Sequence, residues 1–312
     1  MTSGSLIVIG VLQAMLIAVA APLFSGFSRV LRAKMHSRHG PTILQNYLDL
    51  IKLMKRQEIL PAQGNLVFRI TPYLTIVAVL LIAMIVPILV SQSPFGWVGD
   101  MLLVVYLLAS IRFFTSLSGL ASGSTFGGIG ARRELFVSAL IEPLILLVLF
   151  VMALLAGSTN LGMISSGVVT GALPYYATVW LGMISFAFIV FVEAGKLPFD
   201  LSEAEQELQE GALTEYSGRG LALMKWGIYM KQLAVVSLFL AVFMPFGSMT
   251  TLSIWTGLLA LIIFLLKAAG LYVIAAVFEN SMARLRFIKT PSVTWIALGI
   301  GLLCFAFYLV KI

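Results

Sequence analysis

Apolar residues run along this chain in eight long blocks, near 4 to 26, 70 to 92, 98 to 120, 134 to 157, 174 to 194, 225 to 246, 254 to 279 and 292 to 311. Each block approaches the roughly 20 residues that carry an α-helix across about 30 Å of hydrocarbon. Stretches this long are not the short alternating strands of an outer-membrane barrel, and unpaired backbone in lipid costs several kcal/mol per group, so the pattern predicts helices. The expected fold class is all-α, a polytopic membrane protein with about eight transmembrane helices forming one domain over 1–312. Composition agrees, with 60% hydrophobic residues, 11% charged residues and a mean hydropathy of +1.05. No Lys or Arg precedes the first block, and its basic residues follow it, so it is expected to stay as the first helix and not to be cleaved as a signal.

The polar segments between the blocks alternate in charge. Segment 27–69 holds eight Lys and Arg, 121–133 holds two, 195–224 two and 280–291 three, whereas 93–97, 158–173 and 247–253 hold none. By the positive-inside rule the charged loops are expected in the cytoplasm of a prokaryotic plasma membrane, with both termini outside. The net charge of +7 is thereby explained as an orientation and lipid signal, with no need of nucleic acid. Within the first charged loop, Ile43, Leu44, Tyr47, Leu48, Ile51 and Met54 recur at helical spacing, opposite Gln45, Asp49, Lys52 and Arg56. That predicts an interfacial amphipathic helix over 43–56, with Pro41 near its start, serving either anionic lipid or a docking partner. His36 and His39 sit in the same basic segment, where contact with solvent or headgroups is the simpler reading. The single cysteine, Cys304, excludes a disulfide or a Cys-rich iron-sulfur or zinc site built from this chain alone, so redox chemistry is expected in a partner.

The segment Glu193–Gly220 carries seven of the 13 carboxylates. Ser202 followed by Glu205 reads as a capping box and Gly211 as a stop, which predicts a short acidic helix with Glu203, Glu207 and Glu210 on one face. Only Lys196 and Arg219 are close in sequence to balance these groups. Ionisable side chains also fall in or at the ends of the apolar blocks: Arg112, Glu142, Glu193, Lys231, Lys267 and Glu279. Such groups mark ion pairs or proton paths. Pro143, directly after Glu142, removes a backbone donor and can open its helix to water. A row from Glu142 through Glu193 to the Glu203 cluster would form a hydrated proton route; the alternative is a carboxylate that merely pairs with Arg112 or a lysine.

Four motifs carry a family resemblance: Arg38-His39-Gly40-Pro41, Ala131-Arg132-Arg133-Glu134, Pro198-Phe199-Asp200-Leu201 with Glu203-Ala204-Glu205 and Glu207-Leu208, and Thr214-Glu215-Tyr216-Ser217-Gly218. With them the chain resembles, over nearly its whole length, the membrane subunit shared by respiratory complex I (subunit 1) and membrane-bound group 4 nickel-iron hydrogenases. Gly195-Lys196-Leu197 before Pro198, the run Gln206–Gly211 and the stretch Phe278–Arg286 are similar to the hydrogenase branch, of formate hydrogenlyase and hydrogenase-4 type. The resemblance implies a subunit that binds no cofactor itself and anchors a soluble arm with a nickel-iron large subunit and iron-sulfur small subunits. It would link that arm to antiporter-like membrane subunits. On this reading Glu142, Glu193, Asp200, Glu203, Glu205, Glu207, Glu210 and Glu279 are candidate relay groups, while Arg38, Arg112, Arg132, Arg133, Lys196, Lys231, Lys267, Arg284 and Arg286 are candidate docking or pairing cations. The alternatives are the quinone-site heel subunit of a complex I type NADH dehydrogenase and, in a different class, a stand-alone ion-coupled carrier, which the absence of an internal repeat disfavours.

Overall fold

Backbone groups that cannot find water must bond within their own segment, and the chain meets this demand with helices. The computed structural model describes residues 3–171, 173, 176–202, 205–249, 253–283 and 290–310. Eleven α-helices lie among them: α1 Ser3–Met35, α2 Gln45–Met54, α3 Leu66–Ile85, α4 Met101–Ala121, α5 Thr125–Ala156, α6 Leu161–Val169, α7 Tyr176–Glu193, α8 Glu205–Leu208, α9 Gly218–Phe243, α10 Ile254–Ser281 and α11 Thr290–Val310. Among the described residues seven of these are long and apolar enough to cross a membrane, and the chain is a multi-pass membrane protein. The eighth expected crossing is α7, apolar throughout but only 18 residues long.

Several helices outrun their apolar blocks. α1 continues to Met35, α5 begins at Thr125 and α9 at Gly218, so Arg29, Arg32, Arg132, Arg133 and Arg219 belong to helix ends and not to loops. Hydropathy marks where lipid stops, but helical hydrogen bonding continues past that depth until a turn or cap ends it. Ahead of α5 the turn is Gly123, at φ +71°. The amphipathic helix is shorter than its 43–56 pattern, and Pro41 lies outside it. Its apolar residues Leu44, Leu48 and Ile51 are exposed, and it packs on α1 and α9 through Asn46 and Leu50, so the apolar stripe faces outward, as an interfacial helix requires. α6 falls in the uncharged segment 158–173, which by hydropathy is a loop between spans; Asn160 caps it by accepting from the Gly162 and Met163 amides.

The bundle is organised around α9. Its most apolar window is 83% buried, against 22% for α10 and for α11. It packs against α1, α2, α3, α6, α7 and α10, while α4 and α5 pair beside α3 and α11 lies against α5 and α7.

Two prolines inside spanning helices show how this post is seated. Pro22 has no N–H, which leaves the Ala18 carbonyl of α1 without its helical donor. The Trp226 indole of α9 donates to that oxygen at 2.9 Å. Around the same bend Tyr47 bonds the Val19 carbonyl and Asn46 the Pro22 carbonyl. Pro72 likewise frees the Phe68 carbonyl of α3, and the Tyr216 hydroxyl donates to it at 2.8 Å, its ring stacked on Phe68 with centroids 4.0 Å apart. Burial pushes the Tyr216 phenol up to about 12, so it remains a donor through the physiological range.

A specific coupling is expected from this arrangement. Trp226→Phe leaves a buried carbonyl unpaired and should cost about 1–2 kcal/mol in detergent unfolding. In a Pro22→Ala background, where residue 22 again supplies an N–H to Ala18, the same substitution should cost measurably less. Equal costs in both backgrounds would contradict this account.

Candidate functional site

The site forms where α4, α5, α7 and α9 meet, at the end of the bundle that carries the acidic loop. Glu193, the last residue of α7, is 4% exposed and Arg112 of α4 is 3% exposed. Arg112 Nη2 lies 2.9 Å from Glu193 Oε1 and its Nε 3.2 Å from Oε2, a two-pronged pairing that suits the planar guanidinium. Lys231 Nζ of α9 lies 3.0 Å from Glu193 Oε2. Glu134 of α5 supplies a second carboxylate, 3.6 Å from Arg112 Nε. Two cations and two carboxylates thus share one enclosed space, so the cluster is nearly neutral although each member is strongly charged. Burial of any one alone would be prohibitive.

A cavity of about 80 Å³ adjoins these groups and reaches from Arg112, Glu134, Glu193 and Lys231 to Ser202 and Glu210 of the acidic loop. Arg112 Nη1 and Gln232 Oε1, one donor and one acceptor on residues that line it, have no protein partner. The volume accommodates more than one water, and the two orphans supply polar contacts for them. From Glu134 a ladder continues along α5 at one-turn steps, because residues four apart on a helix are neighbours: Ser138 follows, then Glu142, whose carboxylate accepts the Ser138 hydroxyl. Glu142 is also within electrostatic reach of Arg112. Carboxylates and hydroxyls joined by hydrogen bonds can exchange protons, and Ser138 with Glu142 is such a pair.

The acidic loop differs from its sequence pattern. The predicted helix through Glu203, Glu207 and Glu210 is a single turn, α8, which ends at Leu208 because Gln209 and Glu210 adopt left-handed backbone at φ +48° and +71°. Gly211 follows at φ +54°, where a side chain would collide with the Ser202 carbonyl, and its Cα sits 2.8 Å from where a Cβ on Gly130 of α5 would stand. This close approach presses the loop onto α5, and the tight turn takes Glu210 off the helical face that the pattern predicts it to share with Glu207. Their counter-charges also come from further away than Lys196 and Arg219. Arg133 lies 2.8 Å from Glu207, and Lys225 lies 2.9 Å from Glu210. Glu203, Arg284 and Arg286 lie outside the described residues, as does the side chain of Glu205. Asp200 and Lys196 stand in the turn after α7, where Lys196 Nζ is 3.5 Å from Ser28 Oγ of α1.

Two expected site residues belong elsewhere. Glu279 of α10 is buried, but it pairs with Arg32 of α1 at 2.7 Å, on a different seam from Glu193. Lys267, also on α10, meets no carboxylate among the described residues; it donates to the Met244 and Phe246 carbonyls just past the end of α9, as cations at helix C-termini do. Arg38 and Arg132 are exposed on the surface. Glu134, Ser138 and Gln232 are members of the site that the sequence pattern does not single out. Glu134 closes the Ala131–Glu134 motif without being named as a site residue there, and the spacing of 134, 138 and 142 is the signal that joins it to Ser138. Among the described residues no three His, Cys, Asp or Glu side chains gather as a metal-ligand set.

The fold and this cluster define a helical membrane protein with a charged centre enclosed beneath an acidic loop. The chain belongs to the NADH dehydrogenase family (NADHdh), whose profile matches residues 7–309. It is 47% identical to hydrogenase-4 component C of Escherichia coli over 98% of this chain and 97% of that protein. It is also 47% identical to formate hydrogenlyase subunit 4 of the same organism, over 94% and 96%. With an NADH-quinone oxidoreductase subunit of Rhizobium rhizogenes it shares 28% identity over 93% and 90%. Among solved structures it is similar to a chain of the membrane-bound sulfane sulfur reductase, an archaeal respiratory membrane complex, with a TM-score of 0.79, 21% identity, and 94% and 98% of the two chains covered; that likeness shows the fold alone.

Breaking the cluster should be severe and non-additive. Glu193→Gln strands Arg112 and Lys231 and should cost about 3–5 kcal/mol in detergent unfolding. Adding Lys231→Met should return part of that loss, because one stranded cation is gone. A double variant as unstable as the sum of the singles would contradict the shared-charge picture.

Proposed function

We propose that this chain is the membrane anchor and coupling subunit of a hydrogen-evolving, membrane-bound nickel-iron hydrogenase of formate hydrogenlyase type. The single observation that carries the reading is the path just described. A cavity roomy enough for more than one water joins the acidic loop to the Glu193 cluster, and Glu134, Ser138 and Glu142 follow at one-turn steps along α5, with Ser138 donating to Glu142. The 47% identities to a hydrogenase component and a formate hydrogenlyase subunit favour this branch over a quinone-site heel subunit, to whose NADH-quinone oxidoreductase relative the chain is 28% identical. A stand-alone carrier would not call for relatives of that kind.

In this reading the charged loops are cytoplasmic and both termini face outward. The ends of α1 and α5 and the 195–217 loop form a floor for the soluble arm, with the exposed Arg38 and Arg132 available to its acidic surface. Nickel-iron and iron-sulfur centres in that arm do the redox chemistry. When the arm changes charge, the loop ion pairs of Glu207 and Glu210 feel it first. The response passes through the cavity to Glu193 and Glu134, whose hold on Arg112 is shared, and a proton taken up there moves by way of Ser138 to Glu142, facing the antiporter-like subunits.

Glu142→Gln removes the far end of the ladder without touching the Arg112–Glu193–Lys231 pairing. In inverted vesicles this variant should assemble and evolve hydrogen, while proton movement coupled to turnover falls to background. Coupled proton movement at the wild-type level in Glu142→Gln and in Ser138→Ala would overturn the relay.

A further inference from the structure

On the side of the bundle away from α4, the two peripheral helices α10 and α11 leave a lateral groove of about 640 Å³ against α7 and α9, a size typical of small-molecule sites. Its wall is apolar and aromatic, with Phe188, Phe191, Phe199, Phe239 and Phe278. It runs from Ile184 on α7 to Ala194 just past its end, and from Leu271 on α10 to Met282 just past its end, ten and eleven residue steps. At a rise of about 1.5 Å per residue it is about 15 Å deep, which is half of a hydrocarbon core of about 30 Å. The groove therefore spans one leaflet, the one on the side of the acidic loop. Lys196 stands at its mouth, the one charged side chain among the described lining residues.

We propose that this groove is a binding site for an anionic phospholipid, whose acyl chain lies along the phenylalanine wall and whose phosphate meets Lys196. The match is in length, in polarity and in the position of Lys196, the one cation among the described lining residues, at headgroup depth. Such a lipid would fill the seam between α7 and α10 and steady Lys196, which also contacts Ser28 of α1, so it would bear on how the turn after α7 holds Glu193. This site is independent of the hydrogenase reading.

The test is photolabelling of the full chain reconstituted in phosphatidylcholine vesicles that contain a trace of phosphatidylglycerol or phosphatidylcholine with a diazirine in the acyl chain, with adducts mapped by mass spectrometry. Phosphatidylglycerol adducts should concentrate on 184–194 and 271–282, exceeding those of the phosphatidylcholine probe by about fivefold, the factor one lysine contributes at a membrane surface. Lys196→Gln should abolish that preference and Lys196→Arg keep it. Ala187→Trp, placed in the groove, should remove the adducts of both probes there while labelling of exposed residues on α2 persists, which also reports that the variant is folded. Equal labelling by the two probes, a preference that survives Lys196→Gln, or a groove that takes no lipid because a copurified protein is crosslinked to it would each overturn the proposal.

Discussion

Two cations from α4 and α9 converge on one carboxylate at the end of α7, and the rest of the site is arranged around that meeting. In an apolar bundle no member of the set could be buried alone, since desolvating a single charge costs more than a helix contact returns. Glu193 receives both prongs of Arg112 and the Lys231 ammonium, and Glu134 supplies the remaining negative charge. The cluster consequently fixes the relative height of four helices. It also stays sensitive to charge arriving from outside, because its balance depends on every partner being in place.

The position of α9 is secured by a different device. Prolines in α1 and α3 each leave a carbonyl without its helical donor, and each oxygen is met by an aromatic side chain: Trp226 on α9 itself, and Tyr216 just before α9 begins. Bends that would be liabilities in lipid become attachment points. This explains why the segment leading into α9 holds its shape on top of the bundle, and why the acidic loop before it is pressed against α5 at the Gly130–Gly211 contact.

Much of this was legible in the sequence. Blocks of apolar residues gave seven crossings and α7, because lipid leaves the backbone few choices. Arg112, Glu193 and Lys231 stood out because charge inside apolar blocks is rare. What could not be read was pairing across helices: nothing local connects Glu134 to Arg112, or Arg133 to Glu207. The capping box at Ser202 and Glu205 and the stop at Gly211 predict a helix running to Glu210, whereas Gln209 and Glu210, where the loop packs on α5, adopt left-handed backbone and end it at Leu208. α6 is not marked by hydropathy because nine residues, two of them serines, are too few to cross a bilayer and resemble an uncharged loop. Glu279, a candidate relay group, and Lys267, a candidate docking or pairing cation, are placed by the fold at the α1–α10 seam and at the end of α9.

The central claim is that the Glu193 cluster passes protons along α5 to Glu142 when the redox state above it changes. Infrared difference spectroscopy on the reconstituted complex during hydrogen evolution observes this directly. The relay predicts a carboxyl band that appears with turnover, is absent in Glu142→Gln and shifts in Ser138→Ala. A turnover spectrum with no carboxyl change, or one unaltered by Glu142→Gln, would contradict it.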